Sequence, residues 1–517
     1  MTSTADGAFA TNPGFLSGAE FHSRAAILAN AARVASGLAS LNVRDGDRVA
    51  FLMRNDVPIL EVTAGAGMLG AITVPINWHF KAAEVQYILE DSGASVLIAH
   101  ADLLGPIRDE LSSAVRVIVV DAPEHVVQSH GGTASDQAAS DGDIHWAAWL
   151  GAQDPWDGPP RTSSTSMVYT SGTTGRPKGV RRQAFTAEQR AAFAVAAQQT
   201  LGLTEGSRTI ISAPMYHSAP NATAMFALQV GAMAVLQSRF DAEGLLALID
   251  RYKITTLQLV PTMFVQLLNL PERVRNSYDV DSLVHVTHTA APCPPDVKRR
   301  MIEWWGPVIY EFYGSTETGA VAFCSSEEWL AHPGTVGHPV EGATVKILAP
   351  DGQELPAGEV GEIHSRLDML PGFTYHGRTT DTGADNLLLA SGDLGYLDGD
   401  GFLYVCDRKA DLVIMGGTNI YPAEVEAALG GMPEVADCAV FGIPDEHLGE
   451  VLAAVVQPVP GSSVGPDEIK AFLREHIADY KIPKVIEFSA ELPREESGKI
   501  FKRKLRDPYW AGTSRAI

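Results

Sequence analysis

Thr170 to Gly179 reads TSGTTGRPKG, and the rest of the chain is interpreted outward from it. Met167, Val168 and Tyr169 just before it are apolar and predict the end of a strand. The chain then turns into hydroxyls, three glycines and a lysine. Glycine lets a backbone turn sharply and bring its N–H groups close to an anion. Ser171, Thr173 and Thr174 add hydroxyl donors, and Lys178 adds a mobile positive charge. Together they have the chemistry of a polyphosphate cradle. It is not a Walker A loop, in which Ser or Thr follows the lysine; here Gly179 follows Lys178. The bland alternative is a polar surface turn, but plain turns rarely set so many donors in a row.

The surroundings suit a metabolic enzyme. A chain of 517 residues is long enough for several domains. Its 45% hydrophobic and 20% charged residues are those of an ordinary globular protein. A net charge of −23 argues against a nucleic-acid backbone as partner. Cys293, Cys324, Cys406 and Cys438 are far apart and form no CxxC pair, which predicts neither a disulfide framework nor a zinc site and points to a cytoplasmic location. The N-terminus has no basic segment leading into an apolar run, so no secretory signal is expected. The most apolar long window, 59–76, contains Glu61 and three glycines and is read as a buried helix plus strand rather than a membrane span.

Helix and strand signals alternate from residue 27 to residue 312, which predicts parallel sheets covered by helices. Residues 121–143 break the rhythm and are expected to be a surface excursion. From about residue 335 short strands with Gly/Asp turns predict a small β-barrel-like lobe, and a final α/β segment begins near residue 411. The expected fold is α/β: a large N-terminal domain of two parallel α/β lobes plus the small β lobe (1–409), and a small mobile α+β C-terminal domain (410–517).

Further stretches agree with the loop. In YEFYGSTE, Tyr313 is an aromatic plate suited to a purine, Thr316 a hydroxyl donor and Glu317 a carboxylate able to hold Mg²⁺; alone, a core Tyr with a capping Thr/Glu would explain it equally well. Asp393 has two oxygens for a diol, and Arg408 is a planar donor for the same ribose or the α-phosphate. Asp398 and Asp400 are assigned to a strand turn. Gly416 and Gly417, in MGGTNIYPAEVE, leave their backbone open to close approach by a thin ligand, or simply turn a strand into a helix that starts at Pro422.

With these motifs in this order, from about Phe21 to Arg506, the chain resembles the adenylate-forming superfamily of acyl-CoA synthetases, peptide-synthetase adenylation domains and beetle luciferases. The resemblance implies ATP, Mg²⁺ and coenzyme A as cofactors and a carboxylic acid as substrate. It assigns catalytic roles to Thr170, Lys178, Glu317, His217 and Lys499, with the metal on Glu317. Nucleotide binding falls to Ser171, Gly172, Thr173, Thr174, Gly175, Ala290, Ala291, Pro292, Tyr313, Gly314, Thr316, Asp393 and Arg408. CoA would meet Gly416, Gly417, Tyr480 and Lys481. His217, Met263, Phe264 and Gly314 would wall the acyl pocket, although a lone core histidine is the bland reading of His217. No Asp lies in 214–221 to hold a substrate ammonium, which argues against amino acids, and a bulky apolar acid of bile-acid, steroid, terpenoid or fatty-acid type is expected. The resemblance implies no nucleic-acid partner and no integral membrane segment, and allows a homodimer.

The chain departs from the family pattern in four places. Asp407 stands where Gly usually precedes the ribose-site Arg, and Ala410 stands at the hinge position usually taken by Asp or Lys. His79 replaces an Arg, and Leu448 replaces an aromatic, on the CoA side. An uncharged hinge raises the alternative of an enzyme that mainly runs the thioester-forming half-reaction on a preformed acyl-adenylate. A non-catalytic nucleotide- or acyl-binding homologue is the other alternative, against which the full set of motif residues argues.

Overall fold

The computed structural model describes residues 7, 9, 11–133, 142–159, 161, 166–170, 177–376, 387–494 and 500–511. Ser171 to Gly175 and Lys499 therefore lie outside the described residues.

Two largely parallel sheets carry the N-terminal part, as the alternation predicted. One has five parallel strands in the order Ile72–Pro75, Arg48–Leu52, Val96–His100, Arg116–Val120 and Ile144–His145. The other has nine strands. At its centre Arg208–Ile211, Thr256–Leu259, His285–His288 and Ile309–Ser315 run parallel, side by side in that order. Antiparallel strands close its two ends. Thr256, Leu257 and Leu259 are buried, as β-branched and aliphatic residues of a covered parallel strand should be.

The apolar window resolves as expected into helix Val57–Leu69 and strand Ile72–Pro75. Asp56 starts this helix by accepting the Val57 N–H at 2.8 Å, and Gly70 ends it at φ 82°, a left-handed conformation that suits glycine. The helix packs on helix Arg24–Ser40 and buries Glu61, whose carboxylate accepts Asn30 Nδ2 at 2.7 Å. Within 121–143 the surface-excursion expectation needs correcting: Glu124–Ser129 is a helix with Val126 and Val127 buried, because two adjacent β-branched residues find the core there.

The third lobe is an antiparallel sheet of Ala343–Leu348, Gly361–Leu367, Leu389–Leu397 and Leu403–Arg408. The glycine-rich loop joins two antiparallel strands, Val168–Thr170 and Lys178–Arg182, with Phe373–Tyr375 as their neighbour. The small C-terminal domain has its own sheet, centred on Val435–Asp445 and Gly449–Pro458, with helices Pro422–Gly430 and Pro466–His476 and a separate apolar core. No helix among the described residues is long and apolar enough to cross a membrane.

Candidate active site

Several of the expected site residues gather where parallel strands end, though Tyr313 and Asp393 do not line the cavity there. Ligands of open α/β sheets bind beyond the carboxyl ends of the strands. Here Ala213, Val260, Thr289 and Ala290, and Thr316 to Thr318, follow four neighbouring strands and line one cavity of about 2080 Å³. Thr170, Lys178, His217, Gly314, Thr316, Glu317 and Arg408 line it too. Ala290 has φ 76°, a left-handed backbone rare for a residue with a Cβ and a mark of local strain beside the cavity. At Gly314 a Cβ would collide with the Gly319 carbonyl, so only glycine keeps the bulged pairing there.

The loop after strand Ile309–Ser315 is pinned by its own hydroxyls. Ser315 N–H donates to Thr318 Oγ1 at 3.1 Å, and Ser315 Oγ accepts the N–H groups of Glu317 and Thr318 at 3.2 and 3.1 Å. Arg182 holds it from behind, donating to the Thr316 carbonyl and, at 2.8 Å, to the Glu317 carbonyl. A third bond from Arg182 goes to Pro371 O at 3.3 Å. Burial lowers the Arg182 pKa to about 10, partly offset by the Glu317 charge, so the guanidinium stays charged at neutral pH. This residue was missed in the sequence. The only signal was an arginine pair following the loop, and its partners are more than a hundred residues away.

Glu317 Oε1 accepts Thr170 Oγ1 at 3.5 Å and Tyr375 OH at 3.3 Å. Both bonds are long and leave carboxylate lone pairs for a harder partner. Mg²⁺ takes one or two protein carboxylates and fills its shell with phosphate and water oxygens, so this donor set fits it. Lys178 Nζ lies 5.7 Å from the Tyr375 ring centroid, on the same side of the cavity. Thr316 Oγ1 is 3.2 Å from Ser218 Oγ, at the start of helix Ser218–Val230. His217 precedes that helix, lines the cavity, and packs its ring 4.3 Å from that of Tyr216.

Tyr313 OH donates to Asp393 Oδ2 at 2.6 Å, and Arg408 Nε lies 3.6 Å from Asp393 Oδ1. The strand pairing sets Asp393 directly opposite Arg408. Burial, with the Asp393 carboxylate, pushes the Tyr313 phenol well above its ordinary value, so it remains a donor.

Other expected residues fall elsewhere. Met263 and Phe264 do not wall the cavity: helix Pro261–Leu268 turns them into the core, where Phe264 packs edge-on against His288 and Trp305. Apolarity alone had not told a core wall from a ligand wall. Ala291 and Pro292 follow Ala290 but do not themselves line the cavity. Lys481 is held by both oxygens of Glu424, at 2.5 and 2.7 Å, and is not a free cation awaiting phosphate. Tyr480 is about half exposed. Gly416 and Gly417 have φ 56° and 86°, are exposed, and lie off the cavity, with Leu448 beside Gly416. Phe501, two residues after Lys499, does line it. Asp398 serves a turn, as read, accepting the N–H groups of Asp400 and Phe402.

Comparison with known proteins agrees with this geometry. Residues 12–370 match the family described as AMP-binding enzyme, and residues 424–499 match the AMP-binding enzyme C-terminal domain. A feruloyl-CoA synthase of Amycolatopsis sp is 35% identical over 482 residues, 92% of this chain and 91% of that protein. The anthranilate CoA ligase AuaEII, solved with anthranoyl-AMP, is 27% identical with a TM-score of 0.84, over 98% of this chain and 96% of that one. The o-succinylbenzoate coenzyme A synthetase MenE of Bacillus subtilis, solved with ATP and magnesium ion, is 29% identical with a TM-score of 0.79, over 96% of each chain. The chain belongs to the AMP-binding enzyme family and is an ATP-dependent, AMP-forming acid–CoA ligase that works through an acyl-adenylate with ATP, Mg²⁺ and CoA.

Proposed function

We propose that the acid is bulky and largely apolar, and that both half-reactions run in this chain. One observation carries the proposal: the cavity lined by Lys178, Thr316 and Glu317 is also lined by the large apolar side chains of Met68, Met225, Phe226, Val260 and Phe312. A large hydrophobic group gains about 25 cal/mol for each Å² it buries there, whereas an unpaired polar group would be desolvated at a cost of roughly 1–3 kcal/mol. The ring acids named for two of the relatives support this size class.

In the first half-reaction a carboxylate oxygen of the acid attacks the α-phosphorus of ATP, and pyrophosphate leaves in line. Mg²⁺, when bound at Glu317, supplies positive charge to the phosphate oxygens. Lys178 offsets charge on the leaving group, and the hydroxyls of Ser171, Thr173 and Thr174 donate hydrogen bonds to it. Tyr313 flanks the adenine, and Asp393 with Arg408 holds the ribose. Lys499 aligns carboxylate and α-phosphate. In the second half-reaction the CoA thiol attacks the acyl carbonyl and AMP leaves, with the thioester retaining the acyl group. Gly416 and Gly417 line the path of the thiol once the C-terminal domain, 410–517, has turned about Ala410.

The position of Phe501 in the cavity, with Gly416 and Gly417 outside it, supports assigning this orientation to the first half-reaction. It favours an enzyme that makes its own acyl-adenylate over one restricted to thioester formation. The four free cysteines among the described residues support a reducing, cytoplasmic setting. The test is AMP release with a panel of ring-bearing and long-chain acids set against acetate and amino acids. The large acids should be preferred; preference for acetate or an amino acid would overturn the size class.

A further inference from the structure

We propose that Tyr87 and Asp91 are positioning residues for ATP: from one face of a single helix they clamp the two ends of the glycine-rich loop, and so fix Thr170 and Lys178 at the phosphates. This rests on the phosphate role proposed above for Lys178 and extends it to two residues that do not line the cavity.

Helix Ala82–Ser92 turns Val85, Ile88 and Leu89 into the core of the five-stranded lobe. Tyr87 and Asp91 are four residues apart on it, and side chains at that spacing share a helix face. Asp91 Oδ2 accepts the Tyr169 hydroxyl at 2.6 Å, the length of a charge-assisted bond. Burial, then the Asp91 carboxylate, push the Tyr169 phenol well above its ordinary value, so it stays a donor. The Tyr87 hydroxyl donates to the Pro177 carbonyl at 3.1 Å. One helical turn therefore holds the chain just before the loop and just after it.

Each anchored residue immediately precedes a site residue. Successive residues of a strand face opposite ways, so Tyr169 reaches the helix while Thr170 Oγ1 donates to Glu317 at 3.5 Å. Pro177 precedes Lys178, which lines the cavity. The strands pair Tyr169 with Gly179 and Thr170 with Lys178. A Cβ on Gly179 would stand 3.0 Å from Tyr169 Cζ, so the glycine leaves room for that ring. Four residues beyond Lys178, Arg182 ties the same hairpin to the Thr316 and Glu317 carbonyls. The hairpin is thus fastened at its loop end to the first lobe and further along to the loop that carries Glu317. Tyr313, Asp393 and Arg408, the residues proposed for adenine and ribose, lie on other strands. Loosening the clamp should therefore disturb the phosphates and spare the nucleoside.

The test compares calorimetric binding of Mg·ATP and of AMP to the full chain, with acid-dependent pyrophosphate release as a second readout. Asp91→Ala should weaken ATP at least about tenfold, leave AMP within about twofold, and slow pyrophosphate release about a hundredfold. Asp91→Asn, which keeps an acceptor for Tyr169, should restore most of the ATP affinity. Tyr87→Phe, which keeps the ring in place, should weaken ATP about threefold or more with AMP again spared; it decides the matter should Asp91→Ala fail to fold. Equal weakening of ATP and AMP in folded variants would reduce the two residues to fasteners of the helix and overturn the proposal, as would unchanged ATP binding. Lys178→Ala separates the two readings. Should it bind ATP as the wild type does while Asp91→Ala loses ATP alone, the Lys178 role falls and the clamp stands through Thr170; should neither variant lose ATP, both fall.

Discussion

The Asp407 carboxylate reaches across the hinge to accept the backbone N–H of Ala423 at 2.8 Å. Asp407 is the penultimate residue of the last strand of the large domain, and Ala423 is in the first turn of helix Pro422–Gly430 in the small one. Acceptors are favoured at a helix N-terminus. Lys502, paired with Glu426 at 2.8 Å, adds its charge to the same buried cluster. The Asp407–Ala423 bond holds one domain orientation, and any rotation about Ala410 must break it. The charge absent from the hinge residue itself sits three residues earlier.

Asp407→Ala should therefore lower acid-dependent pyrophosphate release severalfold more than thioester formation from a supplied acyl-adenylate. Losing the helix cap alone should cost about 1 kcal/mol of stability. The two half-reactions assayed separately check this. Equal losses in both would show that the contact does not select an orientation.

Lys499→Ala should show the same asymmetry more strongly, since Lys499 acts in only one orientation. A loss of several hundredfold in adenylation with near-normal thioester formation is expected. Comparable losses in both steps would contradict the role.

Arg182 anchors the backbone that presents Thr316 and Glu317. A lysine cannot reproduce its planar fork. Arg182→Lys should leave at least one buried carbonyl unpaired, at roughly 1–3 kcal/mol, and lower kcat/KM for ATP at least tenfold. Thermal melts and ATP-dependent kinetics measure the two effects. An unaltered ATP dependence would remove Arg182 from the site.

Much of this was legible in the sequence. The alternation of helix and strand signals gave the parallel sheets, because a covered strand needs apolar residues on both faces. Glu317 and Arg408 stand out in the sequence because each is a charged residue at or just beyond the end of a strand, and both line the cavity. Contacts distant in sequence were not legible. The pairing of Lys481 with Glu424 spans 57 residues, and the Arg182 bonds span more than a hundred. Met263 and Phe264 were assigned to the wrong wall because an apolar helix face looks the same whether core or ligand covers it.

Glu61 gives a pH signature. Burial raises its pKa to about 7 from an ordinary 4.5, against the lowering effect of the Asn30 hydrogen bond. Between those values the folded state holds a proton that the unfolded state has released. Stability from this group is therefore greatest below pH 4.5, declines as pH rises to 7, and is lost above it. Glu61→Gln keeps an acceptor for Asn30 and removes the charge. It should stabilise the protein at pH 8 by up to roughly 3 kcal/mol and give no gain near pH 4.5. Denaturant melts at the two pH values check this; an equal effect at both would place the Glu61 pKa at its ordinary value.

The central claim is that one cavity couples ATP cleavage to thioester formation on a large acid. Its most direct test is simultaneous quantification of AMP and acyl-CoA from purified protein supplied with ATP, Mg²⁺, CoA and ring-bearing acids. The account predicts AMP and acyl-CoA in equal amounts, both dependent on the acid and both greater than with acetate. AMP without thioester, or neither product across the whole panel, would contradict it.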